Sequence, residues 1–354
     1  MTAAAPRPVA RILGPAVQGP HTLPAWHDAC EPRAGASIHA EHEARLNNAT
    51  GGRSVSSRMA QGGARRRVAA LVGLLAPGGS AAAQQEAAHA LARLCTRNSG
   101  NKDYVRECGG IAALVRLLAP SGSAAMCEQA AAALAYLCKD NVKNQDSVRE
   151  CGGVRALLGL LAPGIPAAVQ ETAARALAYL CNDSGQNRDS VRECGGAAVL
   201  IALLAPGHPA AVQQNAVVAL GTLCKANTQG GDSIRQCGGI APLVDLLAPG
   251  RSAGVQGSAA AALAGLSSHS TQNRDCIGEC AGVYALVGLL ARGVPPAVTG
   301  SAVGALINLC HRHTKNQLHV EECGGRAALI RLQARGSSRG LKDMAADALD
   351  NLRS

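Results

Sequence analysis

The chain has 354 residues, 47% of them apolar, and carries a net charge of +10 from 34 basic and 24 acidic residues. One Trp, four Tyr and no Phe leave a core to be built from Leu, Ala, Val, Ile and Cys. No stretch approaches the ~20 uninterrupted apolar residues of a membrane-spanning helix. About half of the basic excess lies in residues 1–67, with nine Arg against four acidic residues, the rest is diluted over residues 68–354, and few aromatic faces are available for base stacking, so a nucleic-acid surface is disfavoured.

Residues 1–60 are rich in Ala, Pro, Gly, His and Arg and show no sustained period. They lack the continuous apolar core of a secretory signal. Acidic residues are absent until Asp28, as in organellar transit peptides, but Ser is scarce. The expectation is a disordered or targeting N-terminal tail. Thr2 excludes N-myristoylation of a glycine at that position, and the glycosylation sequon at Asn48 has no signal peptide to make it usable.

Residues 61–354 read as an array. "GRSVSSRMAQGG" looks like a degenerate first helix, followed by "ARRR", so the first unit has the least certain register. Segments related to "IAALVRLLAP" begin at 68, 111, 154, 197, 240 and 283, with a partial seventh from 326. The cysteine of a "CGG" triplet recurs every 43 residues at Cys108, Cys151, Cys194, Cys237, Cys280 (there "CAG") and Cys323. The octapeptide "DSVRECGG" is identical at 146–153 and 189–196. A fixed period in this range is the signature of a solenoid.

Each unit predicts three helices. The first, as in "NKDYVRECG", has Asn101 and Asp103 suited to a helix start. Asp103 with Arg106, Asp146 with Arg149, and Asp189 with Arg192 are spaced to pair on one face. The glycine pair ends that helix. The second places Leu114, Leu117 and Leu118 on one face and is expected to stop at Pro120. The third, "SAAMCEQAAAALAYLCKD", carries Leu134 and Leu137, and both columns are Leu in all seven units. Such stripes are buried only if units stack. The final helix, with Lys342, Asp343, Asp347, Asp350 and Arg353, suits a capping unit.

The order "N-x-D-x-V-x-E-C-G-G-I-x-A-L-V-x-L-L" followed by "V-Q-E-x-A-A-x-A-L-x-x-L" resembles the armadillo repeat over residues 68–354. The resemblance implies an all-α, right-handed superhelical solenoid of three-helix units whose third helices line a concave groove. That groove commonly holds an extended peptide or partner segment. The family's groove Asn column reads here Arg93, Tyr136, Tyr179, Thr222, Gly265, Asn308 and Asn351. Its Trp column reads His89, Ala132, Arg175, Val218, Ala261, Gly304 and Asp347. With no Trp in the columns and only Asn308 and Asn351 kept, a nuclear import adaptor is disfavoured. The candidate partner-binding residues are His89, Arg93, Glu128, Tyr136, Glu171, Arg175, Tyr179, Thr222 and Asn308, weighted to the N-terminal half. Arg forks and Tyr faces are enriched in binding hot spots. Tyr136 and Tyr179 could equally pack along neighbouring helices, and the residues alone leave both readings open.

Eleven of the fourteen cysteines fall in two columns: the "CGG" column, and Cys95, Cys138, Cys181, Cys224 and Cys310 at the end of the third helix. Both columns are usually small positions in the armadillo pattern, so buried packing is the expected role. No C-x-x-C pair occurs. Cys310, His311, His313, His319 and Cys323 could gather around a metal, but they match no standard zinc spacing, and the three His are expected on exposed helix ends or loops. No phosphate loop, dinucleotide fingerprint or nucleophile elbow is present.

The sequence therefore predicts a non-catalytic scaffold or adaptor, soluble and cytoplasmic or nuclear. Its partner would be a protein or peptide segment, with no cofactor, metal, nucleic acid or membrane anchor, and the array would be monomeric. The alternatives are a substrate-recognition component of a ubiquitin-ligase system working through a separate catalytic partner, and, from another class, a metal- or redox-responsive cysteine protein.

Overall fold

The computed structural model describes residues 55–353 except 120, 121, 226, 227, 335 and 336, with side chains from residue 62 onward. The expected tail falls almost wholly outside the described residues, as does Pro120. Among the described residues every regular element is a helix, and none is long and apolar enough to cross a membrane.

The three-helix unit recurs as expected. In the second unit the helices are Ser99–Glu107, Gly110–Arg116 and Ala124–Cys138. The break between the first two is made by Gly109, whose φ of 74° suits a residue without Cβ. The next glycine serves a different need. A Cβ on Gly110 would lie 2.9 Å from both the Val105 carbonyl oxygen and Val72 Cγ2 of the preceding unit. The glycine pair thus turns the chain and also lets one unit sit flush on the previous one.

The first unit departs from expectation. Val55–Leu74 is one unbroken helix that begins before the boundary expected at 61. Gly62 and Gly63 have no side chain or neighbouring backbone near them, so no packing requires a bend there.

The third helices run Ala81–Cys95, Ala124–Cys138, Ala167–Cys181, Ala210–Leu223, Ala253–Ser268, Pro296–Cys310 and Arg339–Asn351. Each packs on the next. Both leucine columns point into the continuous core, where Leu91, Leu134, Leu137, Leu177, Leu180 and Leu220 are buried.

Asparagines join the units. The residue that caps the first helix lies three positions before the Asn expected to do so: Asn98 Oδ1 accepts from the Asn101 amide at 2.9 Å, and Asn141 Oδ1 from the Asn144 amide at 3.0 Å. This frees the second Asn to turn inward. Asn101, Asn144, Asn187, Asn273 and Asn316 each donate through Nδ2 to the carbonyl seven residues earlier, near the end of the preceding third helix, at 2.7–3.2 Å. Those carbonyls are orphans of a helix C-terminus, and burying them unpaired would be costly. Asn144 also donates to Lys102 O at 3.2 Å and accepts from Arg106 at 3.3 Å, which ties two units together. Of the expected ion pairs, Asp103–Arg106 and Asp189–Arg192 form at 3.5 and 3.6 Å. Arg149 instead meets Glu150 at 3.4 Å, and Asp146 accepts from Ser184 of the next unit.

Candidate functional site

The columns expected to line a groove begin on the third helix Ala81–Cys95. His89 is exposed, and its Nδ1 lies 2.9 Å from Gln129 Oε1 on the next third helix, which bridges the first two units. Arg93, one turn further along, is exposed. Glu128, Tyr136, Glu171, Arg175 and Tyr179 are half-buried on the two following third helices. Both tyrosine rings pack against the core while keeping part of their surface open. The Lys139 ammonium lies 5.7 Å from the Tyr179 ring centroid, a cation–π contact that holds the ring at the rim.

Two candidates sit differently from the rest. Thr222 is only 6% exposed, and its hydroxyl donates to Ala219 O at 2.7 Å. It is therefore part of the packed helix and not of an open surface. Asn308 is half-buried and donates through Nδ2 to Ala264 O of the preceding third helix at 2.9 Å; Asn351 does the same to Ile307 O at 3.2 Å. In both, the amide group holds neighbouring helices together.

Toward the C-terminal half the residues of these columns become small. Ala261 is 8% exposed, and a Cβ on Gly265 would lie 3.3 Å from Cys224 Cβ. Small residues here let third helices approach closely.

The basic rim was missed by sequence reasoning. Lys102 is 7% exposed and donates to Lys139 O; burial lowers its pKa from the usual lysine value. Arg188 donates to Cys181 O at 2.9 Å, and Arg274 to Ser267 O at 2.8 Å and His311 O at 3.0 Å. Lys225 reaches Asn182 Oδ1, and burial lowers its pKa too. These cations face the negative ends of third helices. The signal was present: positions 102, 145, 188, 274 and 317 are all long donors at the repeat spacing, with Gly231 the exception.

The two cysteine columns differ in burial. Cys95, Cys138, Cys181, Cys224 and Cys310 are at most 3% exposed. Burial pushes the thiols of Cys95, Cys181, Cys224 and Cys310 up to about 12, and raises Cys138 as well. The "CGG" column packs only in part, with Cys194, Cys280 and Cys323 against the core. Cys151 and Cys237 are exposed, and Cys108, Cys194, Cys280 and Cys323 are partly so. This column caps the first helix at the outer edge of the unit, where the chain turns before re-entering the core.

His313 also departs from the expected exposed position. It is 7% exposed and caps the helix Thr314–Glu322. Its Nδ1 accepts from the Asn316 amide at 3.3 Å, which leaves the proton on Nε2 to be donated to Asp275 at 3.1 Å. Both ring nitrogens are thus committed. Cys310 is buried, His311 and His319 are exposed, and the Cys323 thiol donates to His319 O. Among the described residues no group of three metal-ligating side chains comes together.

Residues 98–139 and 141–182 match the family model described as Armadillo/beta-catenin-like repeat. Among curated proteins none matches. The crystal structure of an engineered protein is similar at a TM-score of 0.74 and 30% identity, covering 81% of this chain and 68% of that one. A designed armadillo repeat protein is similar at a TM-score of 0.63 and 23% identity, covering 68% of this chain and 99% of that one. Another, solved in complex with the peptide (KR)4, is similar at 0.63 and 22%, with the same coverage.

Proposed function

Because the chain belongs to the armadillo-repeat family, we propose that it is a non-catalytic scaffold whose third helices hold an extended partner segment. The observation that carries the reading is the contrast along those helices. Residues facing the core repeat through the array, whereas the open columns vary: one reads His89, Ala132, Arg175 and Val218, another Arg93, Tyr136, Tyr179 and Thr222, and only the neighbouring pairs Glu128/Glu171 and Tyr136/Tyr179 are alike. Invariant positions serve stacking, so the unshared ones are free to discriminate a ligand. A similar designed protein was solved with a bound peptide, which supports a peptide segment as the kind of partner.

The partner chemistry follows from these groups. Arg93 and Arg175 offer forks for carboxylates, Glu128 and Glu171 take cations, and the two tyrosines give apolar faces with hydroxyls. Packed helices lie roughly 8–10 Å apart, so each unit spans about three residues of an extended segment. Thr222 is left out because it is buried, and Asn308 contributes only what its bond to Ala264 leaves open. Exposed thiols such as Cys151 and Cys237 suit a reducing compartment, the cytoplasm or nucleus.

The test is affinity capture by the intact chain, compared with a variant in which Arg93, Tyr136, Arg175 and Tyr179 are all Ala. A partner held in this half should be lost, since anchors of this type each contribute about 2 kcal/mol or more. Helicity by circular dichroism should be unchanged. Capture undiminished by the four substitutions would move the site elsewhere.

A further inference from the structure

The face by which each unit receives the next is built from two recurring contacts. The first is an aliphatic residue of the second helix that lies under the following unit's second glycine. An added Cβ on Gly110, Gly153, Gly196, Gly282 and Gly325 would sit 2.9–3.3 Å from Val72, Val115, Leu158, Val244 and Val287 respectively. The second contact is an Asp of the first helix that accepts from the following unit's capping side chain. Asn141 donates to Asp103 at 3.0 Å, Ser184 to Asp146 at 3.3 Å and His313 to Asp275 at 3.1 Å.

The seventh unit presents the same two positions, but to solvent. The aliphatic position is Ile330, 54% exposed, and the Asp position has become Leu318, 56% exposed. The final third helix is polar, as a cap should be, with Asp343, Asp347 and Asp350 exposed. A face meant only for water would have become polar at all these positions. This one kept its Ile and exchanged a carboxylate for a Leu. A further unit of the usual kind would find no acceptor at Leu318 for its capping donor, so the face suits an apolar contact of another kind.

We infer that this face docks on the same face of a second copy of the chain, with the two Thr314–Glu322 helices antiparallel across a two-fold axis at Leu318. The charges beside Leu318 carry the choice of occupant. At about 100° per residue, Lys315 and Glu322 lie on the same side of Leu318, about 60° and 40° away and on opposite ends of it. Both are exposed, and neither has an ion-pair partner among the described residues. A two-fold axis brings Lys315 of each copy to Glu322 of the other, so one patch complements itself, as isologous contacts require. Glu321, on the other flank, is already held by Arg326 at 2.7 Å and does not compete.

Sedimentation velocity on the full chain across 1–100 µM tests this. The wild type should sediment as a concentration-dependent dimer. Leu318→Asp, which restores the residue type of the other units, should give a monomer with an unchanged thermal melt. Lys315→Glu and Glu322→Lys should each weaken the dimer about tenfold, and the double exchange should restore it. Tyr284→Asp, at an exposed aromatic outside this face, should leave the dimer intact. A wild type that stays monomeric at 100 µM overturns the inference and leaves the face to a different protein. Single exchanges that weaken the dimer without rescue by the double exchange overturn the two-fold register.

Discussion

Replacing Asn144 by Ala tests whether the asparagine ladder holds the units together. Asn144 is fully buried and makes three side-chain hydrogen bonds, donating to Leu137 O at 3.1 Å and Lys102 O at 3.2 Å and accepting from Arg106 at 3.3 Å. Lys102 O keeps its place in its own helix. Leu137 O lies in the last turn of the helix Ala124–Cys138 and loses its partner. A buried acceptor left unpaired costs about 1–3 kcal/mol, and the broken link to the preceding unit adds roughly one more. The sum of about 2–4 kcal/mol falls on one seam, because stability in a solenoid is local to a unit and its neighbours. Native-state hydrogen exchange should therefore speed up roughly 30- to 700-fold in the helix Val142–Glu150. The distant helix Thr314–Glu322 should stay at its wild-type rate. Gln186→Ala removes one exposed bond to Arg149 and should change exchange little, as surface substitutions do. The reasoning is refuted if Asn144→Ala alters Val142–Glu150 by less than about threefold, or slows and speeds both regions alike.

Two further outcomes follow from the glycines and the thiols. Gly110→Ala should destabilise by about 1–3 kcal/mol, because the added methyl meets the Val105 carbonyl, which cannot turn aside. By contrast Gly159→Ala, in open space within a helix, should stabilise by about 0.5–1 kcal/mol, and urea unfolding compares the two. Maleimide labelling of the native protein should modify Cys151 and Cys237 first, and should reach Cys95, Cys181, Cys224 and Cys310 only on unfolding. The buried thiols are raised from 9.0 in the ordinary state to about 12 when folded. Their contribution is complete below pH 9 and is lost as pH rises from about 9 to 12. Alkaline unfolding should therefore shift to higher pH when Cys224 is replaced by Ser, the type already present at Ser267. An unchanged alkaline midpoint would remove burial of these thiols as its cause.

The period of 43 and the invariant leucines were sufficient to read off the helices, their order and the core, since apolar spacing along a helix is local information. The family resemblance assigns the groove to the third helices. The destinations of the polar residues were not legible. Asn144, His313 and Asn308 are anchored by groups 38–44 residues away, and a polar side chain is buried only where such a partner meets it. One column of cysteine is buried throughout and the other ranges from half-buried to exposed, although both look alike in sequence. Thr222 sits in the groove column yet bonds back into its own helix. Chain pattern decides which residues repeat; only the stacking of one unit on the next decides which repeated polar group finds its partner, and which is left for water or for another molecule.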